Sequence, residues 1–230
     1  MDEQRYPHKL EQPVLFDFTE ASAGVVELFP TVWSAMEELA GPGNASRLSA
    51  LDRLIDLNAP RLSPLVAYLL VTRLVDPDLS LRCRVVKALG DVLSPDAQGV
   101  LAPGGVCQSL NFYLSQMRTR TIFDLLEVAV HYPLLDQDVA RLLNGCPYAG
   151  NHLADILIDR KLPLDIREKA AQMIGMVGFL DALPTLERMQ ERLEARLAGQ
   201  QAMPFAPPSF PSEVELLPSI RSALALLHSL

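Results

Sequence analysis

The stretch DPDLSLRCRVVKALG, residues 76–90, decides the fold class of this 230-residue chain. Leu81 precedes Arg82, apolar residues recur three, four and seven positions after the arginine, and Gly90 stands eight positions after it. Positions three, four and seven residues apart lie on one face of an α-helix. The stretch therefore predicts an amphipathic helix whose buried stripe ends at a glycine, where close packing or a C-terminal turn is possible.

A second stretch, PLDIREKAAQMIG at residues 163–175, repeats this pattern in the same register around Arg167. A weaker copy begins at Arg47, with apolar residues at the same offsets but without the leading aliphatic residue and the glycine. The spacing of the copies allows one degenerate unit between residues 104 and 160 at a period of ~40 residues. The sequence therefore predicts an internal repeat of helical units.

Helical periodicity continues from about Glu20 to the end of the chain, and prolines separate the periodic segments. The predicted helices span residues 21–40, 44–57, 61–75, 78–93, 104–117, 119–131, 136–144, 149–160, 163–177, 181–198 and 212–229. Segments of this length form helical hairpins that bury enough apolar surface only when they stack. We expect an all-α fold of about five stacked helix pairs over residues 20–230. Residues 1–19 are expected to form an N-terminal arm, and residues 202–211 a proline-rich loop that is either a spacer or an exposed binding segment.

The arginine and glycine register resembles the second helix of a HEAT repeat, of the type found in phycobilisome-lyase and HEAT-like proteins. The resemblance covers residues 40–95 and 160–190 well and implies an α-α superhelix. In that family an aspartate before the second helix and an arginine within it form a polar ladder between repeats. The resemblance implies this structural role for Asp76, Arg82, Asp165 and Arg167.

Composition and charge narrow the classes of partner. The net charge of −8 and the pI near 5.0 oppose non-specific attraction to nucleic acid or anionic lipid. The longest apolar run, residues 65–71, is far shorter than the ~20 residues of a membrane span. Three widely spaced cysteines and an N-terminus without a secretion signal favour a cytoplasmic protein. We expect no nucleic-acid partner and no membrane association.

The sequence contains no common catalytic, metal-binding or phosphate-loop motif, so we expect no catalytic residues, no metal and no cofactor. His152, Asp155 and Asp159 share a helix face and are a metal-site candidate, although an ordinary solvated face explains them better. Arg188, Arg192 and Arg196 alternate with glutamates, which favours a solvated, salt-bridged face over a basic stripe. The aromatic residues Trp33, Tyr113, Tyr132 and Tyr148 are either core residues or interface anchors.

A stack of helix pairs presents a concave surface lined by the second helices, which suits a protein or peptide partner. The function expected from the resemblance is therefore protein binding or scaffolding. The predicted contact residues are positions expected to be exposed on two second helices: Arg84, Lys87, Asp91, Lys169, Gln172 and Met176. The alternatives are a HEAT-like enzyme, either a chromophore lyase or a DNA glycosylase, and a structural subunit or homodimer whose end faces are covered by a partner.

Overall fold

The computed structural model describes residues 26–201 and 213–229, and within them the secondary structure is entirely helical. The α-helices are α1 (Pro30–Ala40), α2 (Asn44–Asp56), α3 (Ala59–Leu62), α4 (Pro64–Thr72), α5 (Leu79–Val92), α6 (Gly104–Leu114), α7 (Thr119–His131), α8 (Asp136–Asn144), α9 (Ala149–Ile158), α10 (Leu164–Val177), α11 (Leu183–Gln201) and α12 (Leu217–Leu227). The predicted all-α class is confirmed. The predicted arm at residues 1–19 and the proline-rich loop at residues 202–211 lie outside the described residues.

One predicted helix is divided by the structure. The segment predicted as a single helix over residues 61–75 forms α3, α4 and a short 3-10 turn, Arg73–Val75. Ser63 is extended, as the residue before a proline prefers to be, and its Oγ accepts a hydrogen bond from the amide of Val66 at 3.0 Å. Because Pro64 occupies the first turn of α4, the chain starts a new helix there.

Helices α2, α5, α8, α10 and α12 form a continuous row of contacts. Helix α2 contacts α5, α5 contacts α8, α8 contacts α10, and α10 contacts α12. On the other side of the row, α7 contacts α9 and α9 contacts α11, while α6 packs on α4 as an additional helix. The middle of the chain therefore contributes α7 and α8 as a helix pair, although it lacks the arginine and glycine pattern.

The apolar stripe predicted for the two repeat stretches lies in the core. Val85, Val86 and Leu89 of α5 are fully buried, and so are the equivalent Ala170 and Ile174 of α10. Burial of a large aliphatic side chain contributes about 1.5–3 kcal/mol to folding. This stripe is what fixes the rotation of each second helix about its own axis.

The two repeat glycines lie where neighbouring second helices approach most closely. A Cβ atom on Gly90 would stand 2.7 Å from Cβ of Asp138 in α8, and one on Gly175 would stand 2.7 Å from Cα of Ala223 in α12. Gly178 has a positive φ of 88° and ends α10 in the left-handed conformation. The glycine of the repeat thus permits helix contact, and a separate glycine makes the turn.

None of the helices in the described ranges is long and apolar enough to cross a membrane.

The contact at Gly175 is open to a direct test. Gly175→Ala should lower the free energy of unfolding by about 1–2 kcal/mol, because overpacking against the α12 backbone outweighs the gain in helix propensity. The measurement is urea denaturation followed by circular dichroism.

The control is Gly199→Ala in α11, where a Cβ would meet nothing within 4 Å. That variant should gain up to about 1 kcal/mol from helix propensity alone. Similar stability changes in the two variants would show that the Gly175 contact does not require a glycine.

Candidate functional site

Buried arginines at equivalent positions link successive helix pairs. Arg47 of α2 contacts Asp76 at 3.2 Å, and Arg82 of α5 contacts Asp124 of α7 at 3.2 Å. Arg167 of α10 contacts Glu213 at 2.7 Å. The three arginine side chains are only 12, 6 and 4 % exposed. In each case the acid comes from a later part of the chain, so each ion pair ties a helix to a segment that follows it in sequence.

The two aspartates placed in the ladder by resemblance have different environments. Asp76 is buried, accepts a hydrogen bond from Arg47 and also accepts one from the amide of Asp78 at 3.0 Å. Asp165 is exposed, and its Oδ1 accepts a hydrogen bond from the adjacent amide of Ile166 at 2.8 Å. Asp165 therefore acts within the first turn of α10, and within the described residues Glu213 is the acid that Arg167 contacts.

Three predicted contact residues lie together on the exposed face of α5. Arg84 pairs with Asp52 of α2, and Lys87 pairs with Asp91 at 2.6 Å and lies 3.7 Å from Asp138 of α8. The hydrogen bond to Asp91 raises the pKa of Lys87, which keeps the amine charged. A partner that bound these charges would first have to break contacts within the chain.

The expectation that Lys169 is an exposed contact residue is wrong. Its side chain is 12 % exposed, and Nζ donates to Asp136 of α8 at 3.0 Å. The close contact of α8 with α10 covers this position, so Lys169 acts as another tie between second helices. Spacing along α10 could not reveal the covering helix, because α8 lies in the part of the chain without the repeat pattern.

Gln172 and Met176, the remaining predicted contact residues, line an open groove between α10 and α12. The groove has a volume of about 660 Å³ and is mostly apolar. Met176 from α10 and Leu226 from α12 stand on its two sides and are 47 and 48 % exposed. Gly175 forms part of the floor. Large apolar side chains exposed next to a groove are typical of a binding surface.

His131 and His152 are engaged in local structure. His152 Nδ1 lies 2.9 Å from Oγ1 of Thr119, and Asp159 Oδ1 accepts a hydrogen bond from the amide of Lys161 at 2.9 Å. His131 Nδ1 lies 2.9 Å from the carbonyl oxygen of Glu127 at the end of α7. Among the described residues no three histidine, cysteine or acidic side chains form a group that could hold a metal ion.

The sequence left it open whether Trp33, Tyr113 and Tyr148 are core residues or interface anchors, and it gave no sign of a second surface feature, a group of arginines. Trp33 and Tyr148 are more than half exposed, and the rings of Tyr68 and Tyr113 lie 4.8 Å apart beside a second groove of about 340 Å³. Arginines from three segments also surround Glu213. Two of these arginines, Arg192 and Arg196, lie on the face of α11 that was expected to be an ordinary salt-bridged surface. Neither feature follows from periodicity, because each depends on which helices become neighbours.

Comparison of the chain with protein-family models, with curated proteins and with solved structures gives no match.

Breaking the buried ion pair of Arg82 should cost more stability than breaking an exposed pair on the same helix. Arg82→Met should cost about 2 kcal/mol, because it leaves Asp124 charged and largely buried. This loss of stability is smaller than that expected for a fully buried ion pair, since Glu127, the second partner of Arg82, is 36 % exposed. Arg84→Met is the matched control and should cost less than about 1 kcal/mol, because both members of the pair with Asp52 are half exposed.

Lowering the pH should restore part of the stability lost in Arg82→Met. Burial raises the pKa of Asp124, and the Arg82 charge opposes that rise. Without Arg82 the folded-state pKa rises further, so the cost of the buried charge is complete above that pKa and declines as the pH falls toward the ordinary value of 3.8. Urea titrations at several pH values measure this, and equal losses in both methionine variants at all pH values would contradict it.

Proposed function

We propose that this chain is a protein-binding module, built as a HEAT-like stack of helix pairs, that holds an apolar segment of a partner protein in the groove between α10 and α12. The observation that carries the proposal is the exposure of Met176 and Leu226 on the two sides of a mainly apolar groove of about 660 Å³. The continuous row of second helices and the equivalent positions of the ladder arginines support the stacked architecture. In this proposal the module acts by binding, without catalysis.

The polar part of the same face favours the groove as the place of contact. The predicted contact residues Arg84 and Lys169 are each paired with an aspartate of a neighbouring helix, and Lys87 is paired with Asp91 of its own helix. A partner gains little from charges that are already satisfied and pays a desolvation penalty to approach them. Met176 has its apolar surface in water, so covering it is favourable.

The groove also limits the chemistry of its occupant. Its volume lies within the range of ordinary ligand pockets, which is enough for one or two large aliphatic or aromatic side chains. Gln172, Ser222 and Ser229 supply hydrogen-bonding groups at its edge. An amphipathic helix or extended segment that presents such side chains fits this arrangement.

We place the module in the cytoplasm. Cys83, Cys107 and Cys146 are all free thiols, as expected of a protein kept in a reducing compartment.

The test introduces a charge into the groove. Met176→Glu should weaken partner binding by a factor of ten or more, because a carboxylate in a covered apolar groove lacks a partner. Leu134→Glu is the control, since Leu134 is 97 % exposed on the turn before α8 and does not line the groove. Partners are captured from a lysate of the native host with the wild type and both variants, identified by mass spectrometry, and their affinities are then measured with purified proteins.

A protein retained by the wild type and by Leu134→Glu, but lost with Met176→Glu, supports the proposal. A partner that binds all three proteins equally would place its binding site elsewhere. If the species lost with Met176→Glu is a second copy of this chain, the groove is a homodimer interface, and sedimentation velocity of the three proteins would show it.

A further inference from the structure

Four arginines converge on one carboxylate at the end of the helix row. Arg160 lies in the connection between α9 and α10, Arg167 in α10, and Arg192 and Arg196 in α11. Guanidinium nitrogens of all four lie between 2.7 and 3.6 Å from the carboxylate oxygens of Glu213. We call these four arginines and Glu213 the arginine cluster.

The cluster has a buried floor and an exposed rim. Arg167 forms the floor: its Nε donates to the carbonyl oxygen of Leu157 at 2.8 Å, which fixes the guanidinium plane. Glu213 is only 11 % exposed. Arg160, Arg192 and Arg196 form the rim, with side chains between 45 and 62 % exposed. Solvent therefore reaches three guanidinium groups that point to the same place.

Hydrogen-bond donors in the cluster far outnumber the acceptor sites of its central carboxylate. Each guanidinium carries five N–H donors, whereas one carboxylate offers about four lone-pair sites. Among the described residues, four positive charges meet at this one carboxylate, in a chain whose net charge is −8. All four cations are arginines, whose planar fork matches the oxygens of phosphate and carboxylate groups.

Glu213 is the resident anion of this arrangement. Burial acts to raise its pKa, but the hydrogen bond from Arg167 and the surrounding arginine charges outweigh burial and hold the pKa below its usual value. The carboxylate is therefore ionised at neutral pH and keeps the arginines gathered in the absence of any ligand. An arrangement that only needed to anchor residue 213 would need Arg167 alone, because Arg167 already gives a buried contact at 2.7 Å.

We propose that the arginine cluster is a binding site for a phosphate monoester, whose oxygens are held by Arg160, Arg192 and Arg196 above the Arg167–Glu213 pair. A phosphate monoester provides three terminal oxygens and up to two negative charges, which suits the three exposed guanidinium groups of the rim. The site is separate from the groove of the proposed function, since none of its residues lines that groove. Either a phosphorylated side chain or a small phosphate ester could present this chemistry.

The experiment follows the arginine Nε–Hε signals of the full chain by NMR while inorganic phosphate is added at constant ionic strength. The rim signals should shift in a saturable way. The double variant Arg192→Gln with Arg196→Gln should weaken phosphate binding by about tenfold or more, because each lost contact is a charge-assisted hydrogen bond. Its circular dichroism should match that of the wild type, since both side chains are about half exposed.

Arg221→Gln is the matched control, because Arg221 is an exposed arginine of α12 that pairs with Glu194 outside the cluster. It should bind phosphate as the wild type does. Glu213→Gln gives a second, independent measurement: phosphate should raise its melting temperature more than that of the wild type, because the ligand replaces the lost negative charge. Met176→Glu should still bind phosphate, so the proposal for the groove and the proposal for the arginine cluster can be contradicted independently.

Two further probes identify the source of the phosphate. A phosphoserine peptide that binds while its unphosphorylated form does not supports a phosphorylated side chain, and a nucleoside monophosphate that binds in its place supports a small phosphate ester. Phosphate that shifts Arg221 as strongly as the rim arginines, or that binds the double variant as tightly as the wild type, would overturn the proposal. Equal thermal stabilisation of all variants would indicate a general salt effect and would also overturn it.

Discussion

The structure depends on close contact between the second helices of successive pairs. Gly175 allows α12 to approach α10 so closely that Cα of Ala223 lies only 2.7 Å from where a Cβ would stand, and Gly90 allows a similar approach of the Asp138 side chain to α5. Dispersion and burial both gain from such contact, because a tightly packed interior leaves few voids. A larger side chain at either glycine would separate the helices along their whole contact.

The ladder arginines act on this contact in a different way. Moving Arg82 and Asp124 out of water carries a desolvation cost that their attraction only partly repays, and Arg82 Nε and Asp124 Oδ2 have no hydrogen-bond partner among the described residues. Such a pair is a poor source of net stability. It does penalise any other register of α7 against α5, because a shifted helix would leave a buried charge alone. Apolar burial thus supplies most of the stability of the packed helices, and the buried arginines favour one alignment of those helices.

The part of the fold that depends on local pattern could be predicted from the sequence, and the part that depends on neighbours could not. Positions three, four and seven residues after Arg82 and Arg167 gave the buried faces of α5 and α10, because a helix repeats its faces regardless of what covers them. Lys169 was misjudged because α8, the helix that covers it, has no recognisable repeat pattern. The assembly around Glu213 escaped prediction because Arg160, Arg167 and Arg192 come from three segments that meet only in the folded chain. Gln172 and Met176 were expected to be accessible and do line a groove, but their spacing could not show that α12 completes it.

The groove follows from the same small residues that allow the close contact. Gly175 and Ala223 bring α10 and α12 together at their backbones, and the longer side chains Met176 and Leu226 line the groove beside this contact. A bulky residue at position 175 would fill the floor of the groove as well as force the helices apart. The small residues Gly175 and Ala223 therefore account both for the close packing of α10 on α12 and for the groove beside it. A Gly175→Ala chain that still folds should lose affinity for an apolar segment, even though Met176 itself is unchanged.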